Sequence, residues 1–301
     1  MTQDTPPKPP KLIAIDLDGT LLRPGGKISP AVRLAVERAL DAGVHVVPAT
    51  GRGWREATIA LHQLDDVFDR LDLGVFNTGA CVADVGTGNS VCLADFEPTL
   101  ALELVDAMRA MPEAVLVYMD RSKTGIDYLV TGDGDLTENT QRWLSQNDMR
   151  FRENRSPRAE DLRHALRVGM VAVGDRAFHV AERVQNDFQD RVSIHAFAGV
   201  PTADDEAKVY IAEIFAAGVD KWRGVSWVAK QLGIERADVA ALGDEINDIA
   251  LLREAGLGIA MGNAVDRLKA VADVVLDQTN EQDGVAHAID RLLAGEPVAA
   301  G

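Results

Sequence analysis

Two aspartates, one residue apart, follow an apolar run near the start of the chain. Asp16 and Asp18 lie in the stretch LIAIDLDGTLL and are followed by Gly19. Carboxylates at this spacing can share the work of a group transfer, since one can stay ionised as a nucleophile while the other carries a proton for a leaving group. Gly19 lets the backbone turn sharply past the reacting atoms, and its amide can donate to phosphoryl oxygens.

Further polar residues follow other strand-like runs: Thr50-Gly51-Arg52 after VHVVPA, Asn77-Thr78-Gly79 after LGVF, and Asp244-Glu245 with Asn247-Asp248 after VAALG. Converging carboxylates repel one another without a counterion. A hard divalent cation with oxygen ligands relieves this repulsion, and the near-octahedral preference of Mg²⁺ suits one or two carboxylates together with a substrate phosphate. The pattern therefore predicts a Mg²⁺ site formed by Asp16, Asp18 and Asp244, with Glu245 or Asp248 as a further candidate.

Two groups offer positive or donor character to the same phosphate. Thr50 has a hydroxyl and Lys221 a point charge, and phosphoryl transfer chiefly requires electrostatic stabilisation of this kind. Lys221 lies near a predicted helix start, where the helix dipole disfavours a cation, so a ligand role gains weight. Each motif also has a structural interpretation. Asp16 and Asp18 could be turn residues that cap a helix, Thr50-Gly51 a strand-to-helix turn, Lys221 a solvated lysine near a helix start, and Asp244 to Asp248 helix N-terminal residues.

The elements that position these residues alternate between strand-like and helix-like patterns of apolar residues. Strand-like runs such as 12–15 and 44–50 alternate with helical patterns such as the one that starts at Ser29-Pro30. This alternation predicts an α/β fold with a doubly wound, mainly parallel sheet, in which ligands bind beyond the carboxyl ends of the strands. The alternation breaks down at 85–205, which predicts an inserted α+β unit, and it resumes with VYIAEIF at 209–215.

The predicted organisation is thus a discontinuous core, 1–84 and 206–301, with an inserted cap at 85–205 and a disordered proline-rich tail at 1–11. A net charge of −16 disfavours nucleic acid and anionic lipid as partners. No run is apolar enough to span a membrane, and the first residues lack a secretory signal, so we expect a cytoplasmic protein. Cys81 and Cys92 are too few for a disulfide framework.

Six segments in order carry a resemblance to a known family: DLDGTLL, ATGR, GVDK, GDEIND, AMGNA and NEQDGVA. Together they resemble the haloacid dehalogenase superfamily, specifically the Cof-type phosphatases with a large C2-type cap inserted between the second and third motifs. The resemblance covers nearly the whole chain. It implies a phosphatase that acts on small phosphorylated metabolites, with the cap selecting among leaving groups.

The resemblance also implies roles for the acidic residues. Asp16 would attack the phosphorus and form an aspartyl-phosphate, and Asp18 would protonate the leaving oxygen and then activate water. Asp16, the main-chain carbonyl of Asp18 and the Asp244 carboxylate would hold Mg²⁺, with Glu245 binding directly or through water. Asp248 would orient the motif lysine or a metal-bound water.

Phosphoryl binding is assigned by the same resemblance to Thr50, Gly51, Lys221, Asn247 and the amide of Leu17. Arg52 follows the Thr-Gly pair as it does in relatives, with no defined role, and Asn77 and Gly19 support the site.

The chain departs from the family pattern at two places. Trp222-Arg223 follow the motif lysine, where a small residue is usual, and the third strand ends in NTGA rather than NGA. Trp222 either narrows the entrance or packs against the sheet. Neither change removes a group needed for catalysis.

Three functions are open at this stage. The first is a Mg²⁺-dependent phosphatase for sugar phosphates or other small phosphomonoesters. The second is a phosphomutase or phosphotransferase that passes the same aspartyl-phosphate to a hydroxyl group. The third is a non-catalytic phosphate-binding regulator, which the presence of every expected chemical group disfavours. The sequence does not define the oligomeric state.

Overall fold

The computed structural model describes residues 8–198 and 209–298. The strands within these ranges are β1 (Leu12–Ile15), β2 (His45–Pro48), β3 (Leu73–Phe76), β4 (Cys81–Asp84), β5 (Ser90–Leu93), β6 (Val115–Met119), β7 (Tyr128–Thr131), β8 (Phe151–Glu153), β9 (Ala165–Val173), β10 (Val192–Ala198), β11 (Val209–Ala216), β12 (Val239–Gly243), β13 (Leu257–Ala260) and β14 (Val274–Val275).

The α-helices are α1 (Pro30–Asp41), α2 (Trp54–Leu61), α3 (Pro98–Met108), α4 (Arg121–Thr124), α5 (Glu138–Gln146), α6 (Arg176–Phe188), α7 (Lys221–Gln231), α8 (Ile249–Glu254), α9 (Asp266–Lys269) and α10 (Gly284–Ala294). No helix among the described residues is long and apolar enough to cross a membrane. Most of the predicted tail, residues 1–7, lies outside the described ranges. Its last residue, Lys11, pairs with Asp238 at 2.6 Å directly before β1.

The chain divides into two compact units. The first consists of the chain up to Cys92 and from Asp220 onward, and the second is Leu93–Val219. The sequence placed the first boundary at 84/85 rather than after Cys92, and its second boundary, 205/206, lies outside the described residues.

A five-stranded parallel sheet, in the order β14-β13-β12-β1-β2, forms the centre of the first unit. All residues of β1 and β12 are buried, as expected for central strands of a sheet covered on both faces. Helix α1 begins where the sequence predicted: Pro30 is its first residue, and the Ser29 hydroxyl accepts a hydrogen bond from the Val32 amide at 3.2 Å. The predicted α/β fold with a mainly parallel sheet is confirmed.

The strand order reverses next to β1. Strand β2 lies on one side of β1 and β12 on the other, with Ile15 paired to Pro48 and to Leu242. The sheet continues loosely past β2, because the Thr50 amide donates to the Val75 carbonyl of β3 at 2.9 Å. The carboxyl ends of β1, β2 and β12 therefore meet at one edge, which is where ligands bind in such sheets.

The second unit is an α+β structure with a six-stranded sheet in the order β10-β11-β9-β6-β7-β8. Its neighbours pair antiparallel except β7 and β8. Helices α3 and α6 contribute buried apolar residues to the same core as the central strands of this sheet. An inserted α+β unit was predicted for this part of the chain.

One strand was placed in the wrong unit by the sequence pattern. The run VYIAEIF was taken as the point where the parallel core resumes, but β11 pairs antiparallel with both β10 and β9 in the second unit. The residue pattern of a strand does not determine which strands it pairs with. An apolar run of this length could belong to the parallel sheet of the first unit or to the sheet of the second unit. The parallel core resumes only with α7.

Candidate active site

A buried lysine joins two of the predicted acidic residues. Asp16 follows β1 and is 4% exposed, and its amide donates to the Leu242 carbonyl of β12 at 3.0 Å. Lys221, the first residue of α7, has no exposed surface. Its Nζ donates to Asp16 Oδ1 at 2.5 Å and to Asp248 Oδ1 at 2.6 Å. The lysine thus ties the end of β1 to the segment that follows β12.

Asp248 uses both carboxylate oxygens within the protein. Oδ1 accepts from Lys221, while Oδ2 accepts from the amides of Asp244 and Glu245, each at 3.1 Å. The residue is fully buried. These contacts leave it suited to orienting Lys221 and the loop after β12, which is one of the roles that the sequence predicted.

Asp244 is held by the loop that follows β1. The Thr20 hydroxyl donates to Asp244 Oδ1 at 2.8 Å. Gly19 has a φ of +79°, and a Cβ at this position would lie 2.1 Å from Asp244 Oδ2. Only glycine fits this position, because any side chain would collide with the carboxylate and would also face an unfavourable backbone conformation.

Two asparagines complete this arrangement. Asn263 Nδ2 donates to the Gly19 carbonyl at 2.8 Å and lies 3.4 Å from Asp244 Oδ2. Its Oδ1 accepts from the Asn280 amide at 2.9 Å, and Asn280 Nδ2 donates to the Leu22 carbonyl at 2.8 Å. Sequence reasoning noted the segments AMGNA and NEQDGVA but assigned these residues no role. A polar residue after the parallel strand β13 was the available signal.

The acidic cluster fits a divalent cation. Carboxylate oxygens of Asp16, Asp244 and Asp248 lie within 4.8 Å of one another, and Lys221 is the cation that contacts two of them. Asp248 is fully buried and its oxygens accept from the Lys221 ammonium and from two main-chain amides, whereas the Asp244 carboxylate accepts from the neutral side chains of Thr20 and, at 3.4 Å, Asn263. Asp16 and Asp244 are therefore the carboxylates better suited to bind a metal. Hard oxygen donors at this density match Mg²⁺ chemistry.

The pKa values show that ionised carboxylates in the cluster are destabilised. Burial raises the pKa of Asp16 well above its ordinary value, against the lowering effect of Lys221. The carboxylates of Asp248 and Asp244 raise it further. Burial is also the main cause that raises the pKa of Asp244 to about 7. Burial alone would lower the pKa of Lys221, but the two carboxylates outweigh it and the pKa is raised. A further positive charge would stabilise the ionised carboxylates.

Two predicted residues lie outside the acidic cluster. The Asp18 side chain is 57% exposed and forms a two-pronged ion pair with Arg52, with Nε at 2.7 Å from Oδ2 and Nη2 at 2.5 Å from Oδ1. Glu245 is exposed and its carboxylate accepts from the Ile246 amide at 2.7 Å. The structure therefore gives Arg52 a definite partner, and it does not bring the Glu245 carboxylate into the cluster.

The predicted phosphate-binding residues cluster at the same edge. Thr50 is fully buried and its hydroxyl accepts from the Arg52 amide at 3.1 Å. A Cβ built on Gly51 would lie 3.5 Å from Asn247 Nδ2, so the amide group of Asn247 faces Gly51. Leu17 is buried between the two aspartates.

The third predicted segment also lies at this edge. Asn77 is buried, and its amide donates to the Arg52 carbonyl at 2.9 Å. Trp222 and Arg223, which depart from the family pattern, are both partly exposed in the first turn of α7.

Comparisons with known proteins agree with this arrangement. A family model described as haloacid dehalogenase-like hydrolase matches residues 13–289. Two Bacillus subtilis (strain 168) proteins, YcsE and YwtE, both named 5-amino-6-(5-phospho-D-ribitylamino)uracil phosphatase, are each 30% identical to this chain. The YcsE alignment covers 93% of this chain and 94% of the relative, and the YwtE alignment covers 95% and 99%.

Solved structures show the same fold. The crystal structure of a haloacid dehalogenase-like hydrolase from Bacteroides thetaiotaomicron has a TM-score of 0.74 and 25% identity, and the match covers 94% of this chain and 99% of that one. A crystal structure of TM0651 from Thermotoga maritima has a TM-score of 0.73 at 22% identity and covers 93% and 97%.

Proposed function

The chain belongs to the haloacid dehalogenase-like hydrolases, and on that premise we propose that it is a Mg²⁺-dependent phosphatase that hydrolyses small phosphomonoesters through an aspartyl-phosphate. One observation carries the proposal: Lys221, without exposed surface, bonds to Asp16 beside Asp244 at the point where the strand order reverses. The Asp16 carboxylate, which we take as the nucleophile, thus contacts the Lys221 ammonium, and carboxylate oxygens of Asp16 and Asp244 lie within 4.8 Å of each other.

Asp16, Asp244 and the main-chain carbonyl of Asp18 would hold the metal, with Glu245 as a ligand through water. The bound ion would supply positive charge beside the attacking carboxylate and the phosphoryl oxygens. Asp248 would act through Lys221, which it contacts, rather than through the metal.

The proposed reaction has two steps, formation and hydrolysis of the aspartyl-phosphate. In the first, a carboxylate oxygen of Asp16 forms a bond to phosphorus while the bond from phosphorus to the leaving oxygen breaks, and Asp18 gives that oxygen a proton. In the second, Asp18 takes a proton from water as the water oxygen bonds to phosphorus and the Asp16–phosphorus bond breaks. Lys221, Thr50 and Asn247 would bind the phosphoryl oxygens, together with amides at Leu17 and Gly51.

Asp18 must be released from Arg52 to serve in this role. Arg52 holds the Asp18 carboxylate with two hydrogen bonds, and a neutral Asp18 would lose the charge that strengthens both. We therefore propose that Arg52 positions Asp18 between turnovers and that the pair loosens when Asp18 carries its proton.

The second unit, Leu93–Val219, is proposed to select the leaving group, since the residues of the acidic site recognise only phosphate and metal. The candidate substrates are sugar phosphates, nucleotide or flavin-related monophosphates and pyridoxal phosphate. The substrate in the names of the two Bacillus relatives belongs in the same test.

The experiment is a screen of purified protein against these phosphomonoesters with Mg²⁺, with a chelator as control. The proposal predicts phosphate release from at least one ester, and loss of that activity on chelation. Phosphate should accumulate in proportion to the ester consumed. A deficit of free phosphate with a new phosphorylated product would indicate a phosphotransferase, and ester binding without turnover would indicate a regulator.

A further inference from the structure

The turn after β3 holds three successive residues in a left-handed conformation. Asn77, Thr78 and Gly79 have φ values of +49°, +55° and +97°. Glycine and asparagine adopt this region readily, but a β-branched residue such as Thr78 is an outlier there. This turn is also where the sequence departs from the family pattern.

The turn cannot relax, because its neighbours fix it. The amides of Asn77 and Thr78 donate to the carbonyls of Arg52 at 2.9 Å and Thr50 at 3.0 Å. A Cβ on Gly79 would lie 1.8 Å from the Asp220 carbonyl oxygen, one residue before Lys221. The backbone of Thr78 is thus fixed between two segments of the candidate site, whatever its side chain.

The side chain of Thr78 points to Gly51, whose amide is proposed to bind a phosphoryl oxygen. A Cβ built on Gly51 would lie 3.5 Å from Thr78 Oγ1 and 3.5 Å from Asn247 Nδ2. The space next to the Gly51 Cα, which a side chain would fill, is therefore flanked by a hydroxyl and an amide donor. Thr78 itself is 1% exposed.

We propose that Thr78 Oγ1 and Asn247 Nδ2 form a niche over Gly51 that binds one phosphoryl oxygen, so that Thr78 is a further substrate-binding residue. A residue that suits this backbone poorly is retained because its hydroxyl donates to the phosphoryl group. The proposal rests on the proposed function, since the phosphoryl group is its ligand. It explains why a threonine stands where asparagine or glycine would strain the backbone less.

The test separates the hydroxyl of Thr78 from the shape of its side chain. Thr78→Val keeps the branched shape and the backbone strain but removes the hydroxyl, while Thr78→Ser keeps the hydroxyl. Affinity for inorganic phosphate is measured by calorimetry in Mg²⁺, along with kcat/KM and Tm. Loss of one hydrogen bond to a charged group predicts a phosphate affinity at least about tenfold weaker for Thr78→Val, a Tm close to wild type, and near-wild-type affinity for Thr78→Ser.

Thr99→Val, at an exposed position of α3, is the matched control and should change nothing. The pair Thr78→Ser and Thr78→Ala differs only in the hydroxyl and gives the same comparison without a branched side chain, should Thr78→Val fail to fold. Equal phosphate affinity in wild type and Thr78→Val, or in Thr78→Ser and Thr78→Ala, would overturn the niche. A wild-type protein that binds phosphate but hydrolyses no ester would instead count against the proposed function, because binding is measured without turnover.

Discussion

Lys221 is a buried cation whose partners explain its burial. A lysine without water costs a large desolvation free energy unless carboxylates compensate for it, and here Asp16 and Asp248 both contact its Nζ. The lysine in turn compensates for the desolvation of the buried carboxylates of Asp16 and Asp248. The same group can therefore stabilise the fold and the charge that develops on a transferring phosphoryl group.

Lys221→Ala should lower kcat/KM by about 10²-fold or more, the magnitude typical of losing one group that stabilises transition-state charge. It should also destabilise the metal-free fold by ~3–5 kcal/mol, because two buried carboxylates lose their partner. Steady-state kinetics and denaturant unfolding measure the two effects. Lys230→Ala, at an exposed position of the same helix, is the control and should alter neither. Wild-type kinetics for Lys221→Ala would exclude its phosphate role.

The sequence predicted the groups of this site better than their partners. Asp16, Lys221 and Asp244 could be named because each follows a strand or begins a helix in a recognisable segment. The pairing of Asp18 with Arg52 could not be foreseen, because it joins side chains from two separate strand ends. The same holds for Asn263, which reaches Gly19 from the loop after β13.

Loops at the carboxyl edge of the parallel sheet bring these side chains together. The loop after β1 packs its Gly19 against Asp244 from the loop after β12, and Asn263 from the loop after β13 bonds to the Gly19 carbonyl. Adjacent parallel strands make these loops neighbours. The position of each loop therefore depends on the other two.

Asn263→Ala should weaken Mg²⁺ binding by about 10–100-fold, as is usual when a residue that orients a metal ligand is removed. The kcat at saturating Mg²⁺ should largely recover, since Asn263 touches none of the reacting groups. Calorimetric titration with Mg²⁺ measures the affinity without turnover. Asn186→Ala, on the exposed face of α6, is the control. An unchanged Mg²⁺ affinity in Asn263→Ala would show that Asp244 needs no support from this loop.

Gly79→Ala should displace the start of α7, because the added methyl would lie 1.8 Å from the Asp220 carbonyl oxygen. We expect a loss of stability of more than ~1 kcal/mol from the left-handed backbone alone, together with a fall in kcat as Lys221 moves. Gly86→Ala serves as the control, since its nearest atom would be 3.7 Å away. Similar Tm and kcat values for the two variants would refute the close packing described.

Elements with a clear local signal in the sequence were predicted correctly, and elements defined by long-range pairing were not. Helix α1 was located by its Ser29-Pro30 start, and β1 by its continuous apolar run. Strand β11 was assigned to the wrong sheet because its pairing with β9 and β10 is a long-range property. Strand β5 pairs with β4 in the first unit, which moves the boundary past the predicted residue 84.

The molecule as a whole is strongly acidic, with a net charge of −16, although its proposed substrates are anions. The positive charge that binds such a substrate would therefore have to come from a few local cations or a metal ion. Lys221 supplies one charge, and the carboxylates of Asp16, Asp244 and Asp248 lie close enough together to hold a cation that would supply more. The composition indicated that local positive charge is needed, but only the fold shows which carboxylates lie close together.

Mg²⁺ should stabilise the whole protein, because it binds the folded cluster and not the unfolded chain. At about 100 times its dissociation constant the ion adds ~2.7 kcal/mol to the free energy of unfolding, which thermal unfolding detects as a higher Tm. Asp244→Asn should lose most of this shift. The exposed variant Asp41→Asn should keep it, and an equal shift in both variants would place the ion elsewhere.

The most direct test of the central claim is the rate at which Asp16→Asn hydrolyses a chromogenic aryl phosphate in saturating Mg²⁺. The substitution replaces the nucleophilic carboxylate by a neutral amide with almost no change in volume, so circular dichroism should show a folded protein while hydrolysis falls to the background rate. Asp41→Asn should hydrolyse the ester at the wild-type rate. Undiminished hydrolysis by folded Asp16→Asn would contradict an aspartyl-phosphate at this residue.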